Sequence, residues 1–107
     1  MVRVLTSQEF EKEVLQSKLP VIVDFFAPWC GPCRMVAPVF DDLAKKWGVS
    51  HSFFKVNIDE SQDVARALGV SSIPAFFFFD EGKIVGKSLG YKNQAALESL
   101  MTQFFSE

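Results

Sequence analysis

The chain of 107 residues has only two cysteines, Cys30 and Cys33, and one histidine, His51. A secreted disulfide scaffold carries more cysteines, spread along its length. Two cysteines three positions apart close only a small local loop, so this pair reads as chemistry rather than as a staple. A closed zinc site takes four ligands. Two cysteines and one histidine do not supply them, so no metal site is expected within one chain. A metal or cluster shared between two chains is the competing reading. Redox chemistry is favoured over it, because the motif opens a helix beside a βαβ pattern.

Other features are missing too. Net charge is only -2, and the two signs are mixed along the sequence. With no basic block, neither nucleic acid nor an anionic membrane surface is an expected partner. The longest apolar run, Ala75 to Phe79, is far short of a membrane span. No Asn-x-Ser/Thr sequon, internal repeat or low-complexity stretch occurs. The N-terminus, Met1 to Ser7, leads into Glu9, Glu11, Lys12 and Glu13 rather than an apolar segment. No secretory signal is read there, and the expected location is cytoplasmic.

What is present is the balance of an ordinary globular protein, 49% hydrophobic and 22% charged. A single domain over residues 1–107 is expected. Val2 to Leu5 predicts a short strand. Thr6-x-x-Glu9 is a capping box opening a helix that carries Phe10, Val14 and Leu15. Val21 to Phe26 is nearly all apolar, as a strand buried on both faces is. Met35, Val36, Val39, Phe40, Leu43 and Trp47 recur at helical spacing up to Gly48, with Pro38 expected to kink that helix.

Ser52 to Ile58 predicts a third strand. Asp59-x-x-Gln62 predicts the cap of a short helix ended by Gly69. The run from Pro74 to Phe79 reads as a central strand rather than a ligand box. A turn over Asp80 to Lys83 then returns Ile84 to Leu89 as a hairpin. Asn93 caps a last helix whose apolar face is Ala96, Leu97, Leu100, Met101, Phe104 and Phe105. The order β-α-β-α-β-α-β-β-α argues for an α/β sandwich with helices on both faces of a mixed sheet. Periodicity leaves the strand order open.

The chemistry concentrates in Trp29-Cys30-Gly31-Pro32-Cys33, between the buried strand and the second helix. A cysteine at a helix N-terminus meets unpaired N–H groups and the positive end of the macrodipole. Cys30 is therefore expected to have a lowered pKa and to be the attacking thiolate. Cys33, one turn further in, is expected to be more buried and to resolve the mixed disulfide by attacking Cys30. Gly31 permits the tight turn, and Pro32 fixes φ where the helix starts. Asp24 is a lone carboxylate inside an apolar strand, a costly placement unless it is functional or paired. The alternative for it is a simple pairing with Lys55. Trp47 reads as packing and His51 as structural or exposed. Trp29, beside the cysteines, is expected to cover the site and contact partners.

The segment Asp24-Phe25-Phe26-Ala27-Pro28-Trp29-Cys30-Gly31-Pro32-Cys33 resembles the active-site segment of the thioredoxin family. Pro38, Lys55-Val56-Asn57-Ile58-Asp59, Ile73-Pro74, Gly82 and Gly90 agree with the family in spacing, and the match runs from about residue 2 to 105. The resemblance implies a thioredoxin fold, a three-layer α/β/α sandwich with a mixed five-stranded sheet flanked by four helices. It implies a general protein disulfide reductase working through a reversible Cys30–Cys33 disulfide. Asp24, a buried carboxylate behind Cys33, would take the proton of the resolving thiol through solvent, tuned by Lys55.

Sequence alone prefers a trans Pro74; the resemblance implies a cis one, with Ile73 offering backbone to an extended substrate segment. Trp29, Ile73, Pro74, Gly90 and Tyr91 would form the substrate-binding surface. Disulfide-containing proteins are the implied substrates, acted on by a monomer. No bound cofactor is implied; electrons would come from NADPH through a flavin-dependent thioredoxin reductase. The sequence departs from the family at Phe26, where Trp or Tyr is frequent, at Arg34 for Lys, at Ala75 for Thr, and at Tyr91. These bear on partner choice rather than on chemistry. A binding or scaffold subunit using the Trp29–Pro74 surface is the alternative, and the intact cysteine pair with Asp24 argues against it.

Overall fold

A computed structural model describes residues 2–105. Its strands are β1 (Arg3–Val4), β2 (Val21–Phe26), β3 (Ser52–Asn57), β4 (Ala75–Asp80) and β5 (Lys83–Leu89). The helices are α1 (Ser7–Phe10, continued by a wider π turn over Glu11–Leu15), α2 (Gly31–Trp47), α3 (Gln62–Ala67) and α4 (Gln94–Phe105). The five strands form one sheet in the order β1-β3-β2-β4-β5. β1 and β2 both run parallel to β3, while β4 is antiparallel to β2 and to β5. The sheet is thus mixed, and β2 is its central strand.

Alternation along β2 and β4 builds both sides of the core. Successive side chains of a strand point to opposite faces. Ile22, Phe76 and Phe78 go to the side packed by Val36, Phe40 and Leu43 of α2 and Leu97 and Met101 of α4. Val21, Val23, Phe25, Phe77 and Phe79 go to the other side, with Phe10 and Val14 of the first helix. This explains why β2, apart from Asp24, and β4 up to Phe79 are apolar: each is covered twice, and each buried ring contributes roughly 2 kcal/mol. Most of the rings pack edge-on or tilted, as in Phe25 against Phe77 at 5.0 Å between centroids, while Phe77 and Phe79 stack.

Several local expectations are modified. Thr6 donates its N–H to the Glu9 carboxylate at 2.9 Å, the backbone half of the capping box. Beyond it the helix widens: the Gln16 N–H reaches the Glu11 carbonyl, five residues back, at 3.0 Å. Phe10 and Val14 face the core there, and Leu15 turns to solvent. Met35 is likewise exposed, because α2 buries the stripe Val36, Phe40, Leu43 one step away. α2 runs as one helix of 17 residues through Pro38.

Ser61, not Asp59, is the cap of α3. Asn93 caps α4 through its side chain, which accepts from the Ala96 N–H at 2.8 Å. The β4–β5 hairpin turns through Glu81 and Gly82, both with positive φ (52° and 77°). A tight type I′ turn requires that. Gly82 also passes so close to the first helix that a Cβ there would overlap the Leu15 carbonyl.

Candidate functional site

β2 ends at Phe26, and four residues later Cys30 caps α2. The extended backbone of Cys30, at φ -89° and ψ 115°, stops the strand-to-helix connection and starts the helix. Cys30 and Cys33 are joined by a disulfide, with Cα atoms 5.2 Å apart. The Cys33 N–H, one of the unpaired donors of the first turn, points at the Cys30 sulfur from 3.2 Å. That hydrogen bond and the helix dipole both favour negative charge on Cys30. The expected contrast in burial is slight in the disulfide form: Cys30 is 5% exposed and Cys33 3%.

The two cysteines pack with Ala27, and Phe26, Ile58 and Ile73 close around them. The Ile73 carbonyl oxygen lies 3.9 Å from the Cys30 sulfur. The Ile73–Pro74 peptide is cis. Gly90 joins this rim by donating its N–H to the Pro74 carbonyl at 2.8 Å, with φ at 86°. Tyr91 follows with its ring exposed. A Cβ at Gly31 would meet nothing within 4 Å. Gly31 is the first residue of α2 and its φ is not positive, so neither a close contact nor a left-handed backbone requires glycine there.

Trp29 is 67% exposed, yet its indole is anchored: Nε1 donates to the Asp59 carboxylate at 2.8 Å. Reading Asp59 as a helix cap missed this, because the contact joins positions 30 apart. The nearest signal was a carboxylate directly after the third strand. Arg34 is also engaged locally, donating to the Pro28 carbonyl at 2.8 Å.

Asp24 is fully buried in the middle of β2, and neither carboxylate oxygen has a hydrogen-bond partner among the described residues. Burial pushes its pKa up from 3.8 to about 7, and the Lys55 charge opposes that rise without cancelling it. Lys55 lies beside Asp24 in the β2–β3 register. It does not pair with it as one reading of the sequence had it. The ammonium sits over the Phe26 ring, 4.4 Å from the centroid. A cleft of about 260 Å³ lined by Phe26, Cys33, Arg34, Ala37 and Lys55 reaches the rear of the disulfide. His51 packs between Trp47 and Phe105, and burial lowers its pKa. Among the described residues no three His, Cys, Asp or Glu side chains gather as metal ligands would. No described helix is long and apolar enough to cross a membrane.

What the cysteine pair can do is exchange two electrons with a disulfide presented at the rim. That is the chemistry of a dithiol–disulfide oxidoreductase. Comparison with known proteins narrows the class. Residues 1–103 match the family model described as Thioredoxin. A thioredoxin of Porphyra purpurea is 40% identical over 102 residues, covering 95% of each chain. Thioredoxin 1 of Synechococcus elongatus is 48% identical over 86 residues, 80% of each. Thioredoxin M4, chloroplastic, of Arabidopsis thaliana is 39% identical over 103 residues, 96% of this chain and 53% of that protein. The chain belongs to the thioredoxin family.

Proposed function

We propose that this family member works in the reducing direction, as a general protein disulfide reductase with Cys30 as nucleophile and Cys33 as resolving thiol. One observation carries the assignment of roles: the Cys33 N–H at the head of α2 donates to the Cys30 sulfur, and no donor among the described residues does the same for the Cys33 sulfur. The Cys30 thiolate attacks one sulfur of a substrate disulfide. The other substrate sulfur leaves as a thiolate and takes a proton. Asp24 accepts the proton of the Cys33 thiol. The Cys33 thiolate then attacks the Cys30 sulfur, expelling the second substrate sulfur as a thiolate that takes up the proton Asp24 accepted, and leaving Cys30–Cys33 oxidised. Two electrons and two protons pass to the substrate.

Lys55 tunes Asp24, and Gly31 and Pro32 shape the turn between the thiols. Trp29, Ile73, Pro74, Gly90 and Tyr91 make up the surface that receives the substrate. The Ile73 carbonyl at 3.9 Å from the reactive sulfur supports this, since a substrate strand bound there lies alongside Cys30. Gly-Pro between the cysteines supports the reducing direction, because the family's isomerases and oxidants carry His there. NADPH, through a flavin-dependent thioredoxin reductase, restores the dithiol. The protein acts as a monomer in the cytoplasm. Insulin reduction followed by turbidity, with NADPH and such a reductase supplied, tests the reading. Turnover abolished by Cys30→Ser is expected; turnover surviving that change would refute the assignment.

A further inference from the structure

The Lys55 ammonium has two candidate resting places on one face of the sheet. Asp24 and Lys55 are register partners on neighbouring parallel strands, so their side chains leave the sheet on the same side. Phe26, two residues beyond Asp24, leaves it on that side as well. Lys55 can therefore lie on the carboxylate or on the ring. It lies on the ring, at 4.4 Å from the centroid. That is within cation–π range. Both Asp24 oxygens remain without a partner. The ion pairs among the described residues are those of Arg3 with Glu9 and Glu13 and of Lys46 with Glu98, and Lys55 enters none.

We propose that Phe26 is a positioning residue, whose ring holds the Lys55 ammonium off the Asp24 carboxylate and so sets how tightly Asp24 keeps its proton. The inference rests on the role given to Asp24 above and adds the device that tunes it. Among the described residues, Arg34, Asp41 and Glu98 of the elements packed on this face are engaged elsewhere. Arg34 of α2 lines the same cleft, but its guanidinium is held by the Pro28 carbonyl. Cys33 of α2 does not titrate in the disulfide. Asp41 of α2 accepts from the Val2 N–H at the far edge of the sheet. Glu98 of α4 is taken by Lys46 and Trp47. Phe76, across from Asp24 on β4, carries no charge. An ammonium freed from the ring would thus have its register partner, the unpartnered Asp24 carboxyl, beside it.

The test is a carbon-13 carboxyl titration of Asp24 in the oxidised protein, where neither cysteine titrates. Phe26→Leu is expected to lower the Asp24 pKa by roughly half a pH unit, about threefold in proton affinity. Lys55→Met is expected to raise it. Phe26→Leu added to Lys55→Met is expected to change nothing further. Phe26→Trp, which keeps a better cation–π face and the size of a ring, is expected to hold the pKa or raise it. An unchanged or raised pKa in Phe26→Leu overturns the proposal. So does an equal fall in the Lys55→Met background, which would mean that the ring acts by excluding water. Failure of the Asp24 role itself shows differently: Asp24→Asn would leave the pH profile of disulfide reduction unchanged, while the titration still reads the tuning.

Discussion

Replacing Asp24 by Asn should convert a strongly pH-dependent stability into a flatter one. Asp24 titrates at 3.8 when solvated and at about 7 in the fold. The folded protein therefore holds this proton more tightly than the unfolded chain does. Such an acid costs nothing below pH 3.8, where both states are protonated. The cost grows as pH rises through the window and is complete above about 7. Its size is the shift of 3.2 units, 7 minus 3.8, times 1.36 kcal/mol, or about 4 kcal/mol. Asn has the shape of the protonated acid and never ionises. Its buried amide carries a pH-independent cost of roughly 1–3 kcal/mol, which cancels when two pH values are compared.

Urea unfolding of the oxidised wild type and variant at pH 3.5 and 8.5 measures the difference, provided the m-values agree. The variant should gain about 4 kcal/mol on the wild type between those pH values. A gain below about 1 kcal/mol would refute the reasoning, because it would mean that Asp24 is solvated or paired in the folded protein.

Three further outcomes are expected. Cys33→Ser should trap a covalent mixed disulfide between Cys30 and a protein substrate, visible by non-reducing electrophoresis, whereas Cys30→Ser should trap none. Gly82→Ala should destabilise the fold by about 2 kcal/mol or more, since it puts a side chain at positive φ and against the Leu15 carbonyl; thermal unfolding checks this. Asn93→Ala should cost about 1 kcal/mol through the lost α4 cap, with hydrogen exchange quickening first at Ala96.

Much of the fold was legible because burial leaves a period in the sequence. β2 and β4 announce themselves by continuous apolar runs, and α2 and α4 by helical stripes. The pairing of β2 with β4 in antiparallel sense was not legible, since periodicity describes faces and not neighbours. Met35 shows the limit of the stripe: an apolar residue at a plausible spacing is placed by a rotation of one step. Leu15 escaped because a π turn shifts the face by one residue, and nothing in its sequence marks the wider turn.

At the site, Cys30 and Cys33 were legible because chain connectivity alone puts them in reach of one another. Asp24 stood out as a charge in an apolar strand. The Trp29–Asp59 hydrogen bond and the seating of Lys55 on Phe26 were not legible. The first joins positions 30 apart that no local spacing relates, and the second depends on which of two neighbours on one sheet face the Lys55 side chain reaches.

The most direct test of the account is the equilibrium reduction potential of the Cys30–Cys33 pair, titrated in a thiol–disulfide buffer. The account predicts a value at the reducing end, near the general reference of about −270 mV for thioredoxin. A value at or above the isomerase level of about −180 mV, some 4 kcal/mol away, would contradict it.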